Sequence, residues 1–245
     1  MEKSALPPTP EGVGFLAEKV CDNSYNPREK NIDEKEFKEL LMKWYKKNGY
    51  NFPWRNIETS PFINLVCELM LQRTTTAAVE KFYPTIIEKY SKPKYILKTS
   101  DKELKNDLRF LGLQNKRTKT LKQLADSIIT KYDRKVPKNE EELKSIKGIG
   151  KYTARAVLCF SFNRRLAIVD SNIRRIIKRV FDLKNKNDKY IRKIIDEILP
   201  KNNYRKFNYA LLDLGSIICT PKNPDCRNCP INRYCSFYMN KSNKE

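Results

Sequence analysis

The sequence predicts an all-α fold on three grounds. Apolar residues recur at helical spacing in one segment after another, no segment alternates apolar and polar residues as a half-buried strand would, and Ser, Thr, Asn, Gly and Pro punctuate the chain at short intervals. With 245 residues there is room for one large domain or two small ones around a proper hydrophobic core. Residues 1–31 open with Leu6-Pro7-Pro8-Thr9-Pro10 and continue through a polar stretch, Asp22 to Asn31, without periodicity; this reads as an N-terminal arm. The first helix follows Asp33: Phe37, Leu40, Leu41 and Trp44 share a face, Asp33 and Glu36 can form a capping box, and Gly49 follows the last turn. Further helices are predicted at about 61–72, 76–90, 101–111, 115–132, 139–146, 151–162, 171–181, 188–199 and 203–218. Many short helices with short connections, and no internal repeat, argue against a long-helix bundle.

Composition narrows the function. Fifty Lys and Arg against 29 Asp and Glu leave a net charge of +21, a field that attracts polyanions, so nucleic acid is the leading partner and a merely solvated Lys-rich surface the alternative. Met1 to Cys21 lacks a basic start followed by an unbroken apolar run, and no later segment is long enough to span a bilayer; a soluble, intracellular protein is expected. Of seven cysteines, Cys67 and Cys159 lie in apolar helical patterns and read as small core residues, Cys21 stands apart, and four crowd into the stretch 219–235, which suits a metal site better than disulfides. The absence of histidine leaves chemistry to carboxylates, Lys, Tyr or Cys.

Three constellations carry that chemistry. Cys219-x6-Cys226-x2-Cys229-x5-Cys235 follows the helix Ala210 to Ile218; four thiolates in one loop can surround a [4Fe–4S] cube, and tetrahedral zinc is the alternative on spacing alone. Lys222, Arg227 and Arg233 sit among them and can meet phosphates. Leu143-Lys144-Ser145-Ile146-Lys147-Gly148-Ile149-Gly150-Lys151-Tyr152-Thr153-Ala154 reads as helix, Gly-x-Gly turn and helix, presenting backbone N–H groups to a phosphate, and Val169-Asp170 follows seventeen residues beyond Thr153. Phe52-Pro53-Trp54-Arg55, Ser60-Pro61-Phe62 and Cys67-Glu68-Leu69-Met70-Leu71-Gln72-Arg73-Thr74-Thr75-Thr76 place an acid, Glu68, among apolar neighbours; an exposed Glu on a polar stripe is the plain alternative. Asp170 is equally an N-cap, Tyr152 a core aromatic and Leu113 a hydrophobic C-cap contact.

These motifs together resemble the endonuclease III superfamily of iron–sulfur DNA glycosylases over about residues 35–238, and the Arg-Thr-Thr run resembles its thymine–DNA mismatch members. The resemblance implies a two-domain helix-hairpin-helix fold: a six-helix barrel from about 54 to 164, and an iron–sulfur domain built discontinuously from 32–53 plus 165–245. It implies a [4Fe–4S] cluster on Cys219, Cys226, Cys229 and Cys235, catalysis by Asp170, Glu68 and Tyr152, and DNA contacts by Gln72, Arg73, Leu113, Lys147, Gly148, Gly150 and Lys151, with Gln72 and Leu113 as wedges in the stack. Lys147 departs from the pattern, where the family often has Pro. Members that also nick the strand carry a Schiff-base Lys at the position of Tyr152, and Lys151 is rotated about 100° away along the helix. The expected activity is therefore monofunctional release of thymine or uracil mispaired with guanine in double-stranded DNA, by a monomer. Ten residues after Cys235 leave no space for the extra domain that adenine glycosylases use to read oxidised guanine, and adenine opposite 8-oxoguanine is the alternative substrate. A non-catalytic DNA-binding module is the alternative of a different class.

Overall fold

The computed structural model describes residues 32–183 and 185–242, so the arm expected at 1–31, with Cys21, lies outside the described residues. Those residues form twelve α-helices and no strand. In order they are α1 (Glu34–Asn48), α2 (Pro61–Leu71), α3 (Thr76–Lys89), α4 (Pro93–Lys98), α5 (Asp101–Asp107), α6 (Gln114–Lys131), α7 (Glu140–Ser145), α8 (Lys151–Phe160), α9 (Ser171–Phe181), α10 (Asp188–Ile198), α11 (Tyr204–Ile217) and α12 (Ser236–Ser242). None is long and apolar enough to cross a membrane.

Side-chain caps start many of these helices. Ser60 Oγ accepts from the Ile63 N–H with Pro61 at the first helical position, and Thr75, Ser100, Asn139 and Asn187 do the same for α3, α5, α7 and α10. Three expectations need correction. Asp33 caps α1, but Glu36 does not close a capping box, because its carboxylate instead bonds Arg233 and Tyr234 near the Cys-rich loop. The helix expected over 101–111 breaks at Leu108 into α5 and a 3₁₀ turn, Arg109–Leu111, ending at Gly112 with φ 73°. Two helices were not foreseen: α4 and α12 span six and seven residues, too few for a periodicity to register.

The apolar side chains fall into two main cores. One lies within residues 52–158 and is built on α2, α3, α6 and α8; the other joins Phe37 and Leu41 of α1 to α9, α10, α11 and Ile231. Cys67 and Cys159 are fully buried, as small core residues. A small cluster of Ala156, Cys159, Phe160, Ile168 and Tyr209 spans the seam, with the Phe160 and Tyr209 rings stacked at 4.0 Å. α2, α8, α9 and α11 therefore converge where the two cores meet.

Candidate active site

α2 is apolar on nearly every face, burying Phe62, Leu65, Val66, Cys67, Leu69 and Met70, and this carries Glu68 inward with them at 9% exposure. The exposed-stripe reading of Glu68 thus fails. Its Oε2 has no hydrogen-bond partner among the described residues. Burial pushes the carboxyl up to about 7; the Tyr152 hydroxyl and Arg55 pull it down, and Asp170 pushes it further up. Tyr152 sits in the first turn of α8, where burial and then the charges of Glu68 and Asp170 lift its hydroxyl well above the usual range. Asp170 is the N-cap of α9, its Oδ1 accepting from the Ile173 N–H at 2.7 Å. Burial raises its carboxyl too, while the Ile173 and Asn172 N–H groups, Arg175 and Arg174 favour the anion. The three groups named from sequence thus lie buried close together and act on each other's charge.

A further pair lies beside these three groups. Arg55 donates to both carboxylate oxygens of Asp213 at 2.8 and 2.7 Å and lies over the Tyr209 ring at 4.4 Å, joining the segment after α1 to α11. Asp213 and Tyr209 had no assigned role in the sequence; the signal was an acid inside Ala210-Leu211-Leu212-Asp213-Leu214, buried here to 2%. On the far side of Arg55 and Tyr209 opens a cavity of about 1330 Å³, lined also by Tyr45, Tyr50 and Arg205.

The turn between α7 and α8 needs the first of its two glycines. Gly148 has φ +92°, and a Cβ there would sit 2.5 Å from Thr120 Cγ2 on α6, so the turn packs directly on that helix. Gly150 caps α8 with no side chain and with open space around it, leaving the first N–H groups of α8 uncapped between the exposed Lys147 and Lys151. Gln72 Nε2 reaches Gly148 O at 3.4 Å. Gln72, Arg73 and Leu113 are exposed and line one small cavity of about 70 Å³, with Arg73 and Leu113 both left-handed at φ 57° and 53°.

Cys219, Cys226, Cys229 and Cys235 occupy one loop beside α9. Burial lifts the Cys229 thiol to about 12, and Cys235, Cys219 and Cys226 add to the shift, so the four sulfurs sense one another. Among the described residues no three His, Cys, Asp or Glu side chains converge closely enough to hold a single metal ion.

A helix-hairpin-helix beside two buried carboxyls and a phenol defines a class of helical DNA-processing proteins. Residues 66–201 match the HhH-GPD superfamily base excision DNA repair protein family, and the chain belongs to it. It is 35% identical to the thymine/uracil-DNA glycosylase of Methanothermobacter thermautotrophicus over 85% of this chain and 96% of that one. The structure of a thermostable thymine-DNA glycosylase superimposes with a TM-score of 0.80 at 34% identity, over 87% of this chain and 98% of that one. A trapped endonuclease III–DNA covalent intermediate shares the fold, with a TM-score of 0.74 at 23% identity over 86% of this chain and 99% of that one. The all-α expectation and the family resemblance therefore both hold.

Proposed function

We propose that this protein is a monofunctional DNA glycosylase that removes thymine or uracil mispaired with guanine. The observation that carries the reading is the Glu68–Tyr152–Asp170 cluster, three groups coupled in charge at the seam between the two cores. The named activities of the relatives support the choice of base. The uncapped start of α8, with Lys147 and Lys151, grips a phosphate; Gln72 and Leu113 fill the gap left in the stack, and the target nucleotide swings into the pocket. As the N-glycosidic bond breaks, positive charge grows at the sugar C1′ and the Asp170 carboxylate stabilises it; water then adds at C1′ and gives its proton to Asp170, leaving an abasic sugar. Glu68, which burial lets keep its proton up to about pH 7, gives that proton to the departing base, and Arg73 supplies positive charge beside the pocket mouth. Tyr152 carries no amine, so no Schiff base forms and the strand stays intact.

The donor set in the Cys-rich loop fits a [4Fe–4S] cluster. Zinc loops usually pair two short Cys-x-x-Cys knuckles, whereas Cys219-x6-Cys226-x2-Cys229-x5-Cys235 has only one. Bound there, the cluster supplies four covalent ties that brace the loop against α9. Arg175 donates to Cys219 O at 2.7 Å and Arg179 to Thr220 O at 2.7 Å, holding the same loop from α9. Four uncrosslinked thiols in one loop suit a reducing, intracellular compartment. In this reading the barrel of 54–164 and the second domain of 32–53 plus 165–245 each close around their own core.

The test is a panel of duplexes differing at one base pair, incubated with purified protein and then treated with alkali. Scission at thymine or uracil opposite guanine, appearing only after alkali and without borohydride-trapped protein, is expected. Faster release of adenine opposite 8-oxoguanine would replace the substrate, and scission in no context would leave a DNA-binding module.

A further inference from the structure

Arg117 on α6 is buried to 5% exposure, yet no carboxylate pairs with it among the described residues. Its donors go to two loops. Nη1 bonds Leu69 O at 3.0 Å and Met70 O at 2.9 Å, Nη2 bonds Gln72 O at 3.0 Å and the Thr74 hydroxyl, and Nε bonds Gly112 O at 2.9 Å. Thr74 Oγ1 in turn donates to Leu111 O at 3.3 Å. The C-terminal carbonyls of α2, which have no intrahelical donors, are thereby satisfied by one guanidinium whose charge also suits the negative end of the helix dipole.

What these bonds hold is informative. One loop carries Gln72 and Arg73, the other Leu113. Arg73, Gly112 and Leu113 have φ of 57°, 73° and 53°, a conformation that non-glycine residues keep only when their surroundings enforce it. Arg73 and Leu113 thus stand on left-handed backbone one residue from a carbonyl that Arg117 grips, and Gln72, extended at φ −63°, carries one of those carbonyls itself. Lysine offers a single ammonium in place of the planar fork and cannot reach both loops at once.

We propose that Arg117 is a positioning residue that locks the two loops in a single register, so that Gln72 and Leu113 enter the duplex together. This rests on the reading of those two side chains as wedges. The experiment compares wild type with Arg117→Lys on uracil opposite guanine and on uracil opposite an abasic site, where little pairing resists extrusion. Single-turnover base release is followed alongside the fluorescence of 2-aminopurine placed next to the target. Arg117→Lys is expected to slow release from the paired substrate by about 10-fold or more and from the unpaired one by less than about 3-fold, with a weaker fluorescence rise. Equal losses on both substrates, or no loss on either, overturn the proposal. Should Arg117→Lys melt early, Thr74→Val removes only the bridge between loops and must show the same substrate split more weakly. A wild-type protein that releases no base would refute the proposed activity instead, while the 2-aminopurine rise on binding, unchanged or diminished in the variant, still decides for or against the lock.

Discussion

Glu68 and Asp170 are the same chemical group facing the same phenol, and they are built in opposite ways. Glu68 lies inside α2 with one oxygen unbonded, and its neighbours include a second acid. Burial raises Asp170 as well, but it stands at the open end of α9, where two backbone N–H groups and two arginines oppose that rise. The lesson is that position along a helix tunes protonation: an apolar helix interior lifts a carboxyl with little to oppose it, and a helix N-terminus restrains the lift in favour of the anion.

Four measurements break or sharpen that contrast. The largest effect belongs to Asp170→Asn, which keeps the N-cap oxygen but loses the charge; base release under single turnover should fall by about 10³-fold or more with duplex binding retained. Activity within a few-fold of wild type would move the ionised role to another residue. Glu68→Gln should lower release by about 10²-fold and also flatten the pH profile. Wild type is expected to slow as pH rises through about 7, because the proton donor is lost there; a variant with the same alkaline limb would place the acid elsewhere.

The third measurement is stability. Folding raises Glu68 from its ordinary 4.5 to about 7, so between those values the folded state holds more protons than the unfolded one. Stability from this group is full below the lower value and declines as pH rises through the window, by about 3 kcal/mol in all. Urea melts of Glu68→Gln should lack that decline, and curves parallel to wild type from pH 5 to 8 would show Glu68 to be solvated. Smallest is Lys147→Ala at the hairpin, for which binding should weaken a few-fold for every duplex sequence and the slope against log salt should fall by about 1.

Much of this was legible in the sequence because the signals were local. Gly-x-Gly before Lys151 and Asp170 ahead of an amphipathic helix each state their own conformation, whereas Glu68 within Leu65–Leu71 stays open between a buried acid and a polar stripe until the family resemblance favours the first. The pairing of Arg55 with Asp213 spans 158 residues, and nothing local announces a partner that distant. Arg117 reads as one more cation in a Lys-rich helix until the fold wraps carbonyls around it. Glu36 shows the converse: a local capping pattern gave way to Arg233 and Tyr234, brought alongside by tertiary packing.

The contact between Gly148 and the Thr120 methyl, where no further carbon fits, has a consequence of scale. Thr120 lies one turn beyond Arg117 on α6, and Leu113 immediately precedes that helix. In the proposed reading, the phosphate-binding turn and Leu113 are therefore mounted on one beam, like the two jaws of a caliper set to a fixed opening. On that reading a strand seated at the hairpin is measured off from that point, and the nucleotide displaced is the one lying at that distance along it. A side chain at Gly148 would change the opening, so that Gly148→Ala should redirect excision or abolish it while leaving the pocket chemistry whole.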